Sequence, residues 1–133
     1  MSENLCSRID ENTDIKEAAF TVLGSIALHG LRLSETTLGS KVVVIGLGVI
    51  GQLVCRLAEA QGSEVTGIDP DPERSKNREN FFTSADEVEL RDVDSVIITA
   101  ATSSNEPIEL ATKIARNKAK IVVVGDIPLN ISR

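Results

Sequence analysis

A chain of 133 residues suffices for one domain with one hydrophobic core, and an apolar content of 41% excludes a disordered chain. Aromatic residues contribute only 2%, so the core must be built from Val, Ile, Leu and Ala, which suits a parallel sheet buried on both faces. The formal charge of −6 and the lack of an aromatic-plus-basic platform argue against a nucleic-acid partner, and no apolar run approaches the ~20 residues of a membrane span.

Residues 1–13 read as a flexible, polar lead-in. Asp14 and Glu17 fit a capping box, opening a helix expected to run to about Leu33 with Ala19, Leu23, Ile26, Ala27 and Leu31 on its inner face. Lys41 to Ile45 is a short β-branched run, read as a buried strand. Val49 to Gln61 repeats its apolar residues at the helical period, and Gly62 suits the position just past its end. Glu64 to Ile68 is a second strand closed by Asp69. Asp71-Pro72-Glu73 has the cap, first-position proline and first-turn acid of a short helix. Phe81-Phe82 is expected as a short strand, Ser84 to Val88 as a helical turn, and Ser95 to Thr99 as a strand. Pro107 to Asn117 is an amphipathic helix, and Lys120 to Val124 the last strand. Strands alternating with helices of crossover length imply an α/β fold: a Rossmann-like, doubly wound parallel sheet of about five strands in three αβα layers, over residues 14–133.

Two cysteines, Cys6 and Cys55, do not make a disulfide framework, and Cys55 reads as a small core residue. No CxxC or His/Cys cluster has zinc spacing, so no zinc is expected. No signal peptide is evident, which makes the cytoplasm the expected compartment.

The segment Gly46-Leu47-Gly48-Val49-Ile50-Gly51 is a GxGxxG loop between a β-branched strand and an amphipathic helix. Gly46 permits the tight turn, Gly48 a close approach to pyrophosphate, and Gly51 close helix–strand packing. The N–H groups at the start of the helix, from Val49 and Ile50 onward, then suit a phosphate. Asp69 ends the second strand eighteen residues after Gly51. A carboxylate there can accept hydrogen bonds from adenosine ribose hydroxyls and repel a 2′-phosphate, so NAD is expected over NADP. The alternative is that Asp69 only caps the turn into Pro70 and the next helix.

These residues resemble a known family. Glu17 through Gly30, then Leu38 through Gly51, then Asp94 to Ala101 and Ile121 to Asp126, are similar to the cofactor domain of the medium-chain dehydrogenase/reductase family, the zinc-type alcohol dehydrogenase superfamily. Ser103 to Ile108 and Leu129 to Arg133 resemble most closely the dehydrogenase-like proteins of bacterial polysaccharide gene clusters. The resemblance implies that Asp69 binds ribose, with Pro70 beside it. It implies that Arg74 contacts the adenosine ribose or its phosphate, where the bare sequence suggests a solvated helix charge. It places Thr99, Ala100 and Ala101 on the cleft floor, and Gly125 and Asp126 beside the nicotinamide ribose. The chain also departs from the family. The catalytic domain is absent, Val22 occupies a position that often supplies a zinc ligand, and the sixth strand is missing. His29, the single histidine, reads as a packing or capping residue, with a proton relay as the alternative.

Hydride transfer also needs a held substrate and a group that polarises its carbonyl, and no such group is evident. Thr99, Thr102, Ser103 and Ser104 could line the cleft or bond local backbone. The expected function is the NAD-binding domain of an alcohol dehydrogenase-like oxidoreductase, truncated or stand-alone. The alternatives are a non-enzymatic NAD-binding sensor or interaction module, and a domain that has lost its cofactor. Without a sixth strand the fifth becomes a bare edge, so a homodimer or pairing with another chain is expected there.

Overall fold

The run Lys41–Ile45 forms β1 at the centre of a five-stranded parallel sheet, in a computed structural model that describes residues 6–76 and 78–129. β1 pairs with β2 (Glu64–Ile68), Val42 opposite Val65, and on its other side with β4 (Val93–Ile98), Val43 opposite Val96. β3 (Phe81–Phe82) extends the sheet beyond β2, and β5 (Ala115–Val123) beyond β4. The order β3-β2-β1-β4-β5, with every pair parallel, is the Rossmann-like arrangement the alternating pattern implies. Residues 1–5 of the lead-in and residues 130–133 lie outside the described residues.

The period of two along β1 decides the layers. Val42 and Val44 face α2 (Thr21–Leu33) and α3 (Val49–Ala60), where Ala27, Leu31, Val54, Cys55 and Ala58 complete one core. Val43 and Ile45 face α5 (Glu106–Ile114), where Ile108, Ala111 and Ile114 complete the other. α3 ends as its glycine suggests: Ser63 N–H donates to the Ala58 carbonyl at 3.0 Å and Gly62 N–H to the Glu59 carbonyl at 2.8 Å, satisfying two carbonyls at the helix end.

Three expectations need correction. The helix expected from Asp14 to Leu33 is two helices, α1 (Ile15–Ala18) and α2. α1 buries no residue, so packing does not hold it in line with α2, and Phe20 N–H bonds back only three residues, to the Glu17 carbonyl. Ala19 and Ile26, expected inside, are exposed, whereas Asp14 caps α1 as expected, its side chain accepting from the Lys16 N–H. The helix expected to reach Asn117 stops at Ile114, its last buried residue; Ala115 already pairs with Val93, and β5 starts there instead of at Lys120. Lys118, at φ +66°, lies in the irregularity that follows. The short helix α4 (Pro72–Ser75) is capped by Asp71 as expected, and the turn after β3 is a 3₁₀ helix, Ala85–Glu87, capped by Ser84.

Candidate functional site

The loop from β1 into α3 lies at the carboxyl edge of the sheet, where parallel α/β folds form their clefts. Gly46 turns at φ +96°, and a Cβ there would stand 2.6 Å from the Ala100 backbone nitrogen. A Cβ on Gly51 would overlap the Gly46 carbonyl and stand 2.7 Å from Thr99 Oγ1, which itself donates to the Gly46 carbonyl at 2.7 Å. Gly51 is therefore a packing residue that lets α3 start hard against the turn. Gly48 differs: a Cβ there would meet nothing within 4 Å, so its backbone faces open space. It caps α3 without a side-chain hydrogen bond, and the first turn of α3 holds no acid. The N–H groups of that turn lack intrahelical acceptors, and the positive end of the helix dipole is uncompensated.

Asp69 sits beneath this loop and is only 3% exposed. Its Oδ2 accepts from the Leu47 N–H at 2.7 Å and from the Arg74 guanidinium at 3.1 Å, and its Oδ1 accepts from the Asp71 N–H at 2.9 Å. The turn-capping reading of Asp69 is met in this geometry. It braces the phosphate loop and caps the turn towards α4, and Oδ1 keeps acceptor capacity.

Above the loop opens a cleft of about 730 Å³. It brings together Gly46, Gly48, Asp69, Pro70, Arg74, Thr99, Ala100 and Ala101. Val49, Ile50 and Gly51 are not among the residues that line it. Gly125 packs against the Ala100 carbonyl, while Asp126 borders a second, shallower cleft with Ala101 and Thr102. Thr102 and Ser104 line the main cleft and also bond local backbone: Thr102 Oγ1 accepts from the Ser104 N–H, and Ser104 Oγ from the Glu106 N–H.

Sequence reasoning missed two walls. One is Thr83 to Asp86, after β3; the other is Glu106, Pro107 and Leu110 on α5. The available signal was topological, since residues after any strand's carboxyl end border such a cleft.

The cleft fits a dinucleotide on two observations: open space at Gly48 beside an acid-free helix start, and an acceptor at the end of β2. The donor set fits a heavy metal poorly. Among the described residues no group of three or more His, Cys, Asp or Glu side chains could hold an ion. Burial pushes the Cys55 thiol up to about 12, well away from the thiolate that binds metal. Val22 is 70% exposed and His29 is exposed.

The family described as "Putative heavy-metal chelation" (DUF364) matches residues 31–126. "Probable D-xylulose reductase A" of Aspergillus terreus is 27% identical over 128 residues, covering 96% of this chain and 31% of its own length. 2R,3R-butanediol dehydrogenase from Bacillus subtilis superposes with a TM-score of 0.81 at 19% identity, over 98% of this chain and 41% of that one. CAD from Helicobacter pylori, complexed with NADP(H), superposes with a TM-score of 0.76 at 23% identity, over 90% of this chain and 35% of that one. The chain thus spans about a third of the curated relative's length, and the structural likeness establishes a dehydrogenase-type Rossmann fold.

Proposed function

We propose that this chain, which belongs to the DUF364 family through residues 31–126, is a nicotinamide-dinucleotide-binding domain of the medium-chain dehydrogenase type. One observation carries the reading: the open, acid-free start of α3 at Gly48 lies in the same cleft as Asp69 and Arg74. The pyrophosphate would lie on the backbone of Gly48, Val49 and Ile50. The adenosine ribose would lie at Asp69, Pro70 and Arg74, and the nicotinamide half along Thr99, Ala100 and Ala101 towards Gly125 and Asp126. The bound dinucleotide supplies hydride chemistry; the chain binds and orients it.

The domain comprises residues 14–133, prefers NAD to NADP, holds no zinc and works in the cytoplasm. The activity it would serve is that of an alcohol dehydrogenase-like oxidoreductase, with kinship to the polysaccharide-cluster subgroup. A second reading, a non-enzymatic NAD-binding sensor or interaction module, has its own support: apart from the carboxyl groups of Asp69, Asp86 and Glu106, the residues lining the cleft include no His, Lys, Cys or Tyr to serve as an acid. Chelation of a heavy metal is disfavoured by the scattered donor set among the described residues.

Titration with NADH and NADPH, followed by nicotinamide fluorescence, tests the reading. Saturable binding of NADH supports it, and no response to either cofactor overturns it. Turnover of alcohols by the chain alone would decide against the sensor.

A further inference from the structure

Leu47, in the middle of the glycine loop, is fixed through its N–H, its side chain and its carbonyl. The N–H donates to Asp69 Oδ2 at 2.7 Å. The side chain is fully buried, and it fits because residue 67 is glycine: a Cβ there would stand 2.8 Å from Leu47 Cδ2. The carbonyl accepts from Gln52 Nε2 at 3.1 Å. Gln52 is half-buried on α3, and its own main-chain N–H donates to the Gly48 carbonyl at 2.9 Å. One residue thus grips two consecutive carbonyls, on the two peptide units that flank Gly48. Only the amide nitrogen of Gln52 can donate to a carbonyl, so the chemistry sets which way its side chain is turned.

A trans peptide is planar, with its C=O and N–H pointing in opposite directions. Because the Leu47 carbonyl is drawn to Gln52, the Gly48 N–H points away from Gln52. That N–H donates to no atom of the described residues, and Gly48 lines the cleft beside open space. Gln52 itself does not line the cleft. It can therefore reach a ligand there only through the Leu47–Gly48 peptide. Glycine lacks a side chain to restrict its backbone, so an outside restraint is needed to hold this peptide in one orientation before a ligand arrives.

We propose that Gln52 is a positioning residue for the pyrophosphate: by holding the Leu47 carbonyl it aims the Gly48 N–H at the phosphate oxygens. The proposal rests on the dinucleotide reading above and adds to it a residue outside the glycine motif.

The test compares wild type with Gln52→Met, which keeps side-chain length and helix propensity and removes the donor. NADH binding is followed by nicotinamide fluorescence, and binding of adenosine, which has no phosphate, by amide shifts in nitrogen-15 spectra. Q52M should bind NADH about fivefold more weakly, the usual worth of one hydrogen bond, and adenosine within about twofold of wild type. NADH should shift the Gly48 amide in wild type, and by less in Q52M. A folded Q52M that binds NADH as tightly as wild type would overturn the proposal, as would equal losses for NADH and adenosine, which would make Gln52 a general support of the cleft. Should Q52M not fold, the wild-type spectrum decides: a Gly48 amide that NADH leaves in place overturns the proposal, and one that shifts while the Gln52 side-chain amide does not supports it. Failure of wild type to bind NADH would overturn the dinucleotide reading, and this proposal with it.

Discussion

The Leu47 main-chain N–H donates to Asp69 Oδ2 at 2.7 Å, so the middle of the glycine loop hangs from the acid that closes β2. Asp69→Ala should therefore destabilise the ligand-free chain, because it strands a buried donor at a cost of about 1–3 kcal/mol. Thermal unfolding by circular dichroism should show a drop of several degrees, and Asp69→Asn, which keeps an acceptor, a smaller one. An Asp69→Ala chain as stable as wild type would confine Asp69 to ligand binding.

The two glycines that flank the start of α3 should respond in opposite ways. Gly51→Ala forces a methyl into the Gly46 carbonyl and Thr99, and should cost several kcal/mol or prevent folding. Gly48→Ala meets only open space, so its folding cost is that of a poorer helix cap, about 1 kcal/mol or less. Its methyl nevertheless projects where a pyrophosphate would lie, so dinucleotide affinity should fall at least tenfold. Paired melting and titration curves check both outcomes.

How far the sequence could be read depended on whether local pattern or burial decided each element. β1 and α3 were legible because a β-branched run, a glycine loop and a helical apolar period follow one another without ambiguity. The break at Ala19-Phe20 was not, because only the failure of α1 to bury anything separates it from α2. The early start of β5 was hidden for a similar reason: Arg116 to Lys118 are polar and exposed, and only their place beside β4 makes them part of the strand. In the cleft, the glycine loop and Asp69 announce themselves by motif. Asp86 and Glu106 do not, because parallel packing alone brings the end of β3 and the start of α5 to the same opening.

Cys55 should resist thiol reagents in the native chain. It is 0% exposed, and burial, countered in part by nearby Arg78, pushes its thiol up to about 12. At pH 8 only about one molecule in ten thousand would carry the thiolate. Titration with a chromogenic disulfide should give one fast equivalent per chain, from exposed Cys6, and a second only in denaturant. Two fast equivalents would show that α3 opens readily.

Acid should loosen the amino end of the sheet through Asp94. Its Oδ2 accepts from the Lys41 N–H at 2.8 Å and its Oδ1 from Arg116 at 2.5 Å, tying β1, β4 and β5 together. The Lys41 N–H first, and then Arg116, hold its carboxyl below the usual carboxylate range. A lowered folded-state value means that the contribution is complete above the unfolded value, about 3.9, and disappears as pH falls through the folded one. Asp94→Asn should thus melt lower than wild type at neutral pH, with the two curves converging under acid. Parallel curves across pH 2.5 to about 7 would assign the loss to packing instead.

The outer edge of β5 should decide the assembly state. Val96 and Ile98 of β4 lie under α5, but their in-register neighbours Ile121 and Val123 are 37% and 36% exposed, so the apolar face continues past its helical cover. Arg116, Lys118 and Lys120 place charge along the first part of the strand, where it discourages pairing. Ile121 to Val123 carry none. A second copy pairing there would satisfy the backbone edge and cover both side chains. Light scattering should show the mass doubling between about 10 and about 300 μM, and I121K/V123K should return it to one chain without altering the circular dichroism spectrum. A single-chain mass throughout that range would exclude this edge as a contact between copies. The same result after adding NAD would separate assembly from nucleotide binding.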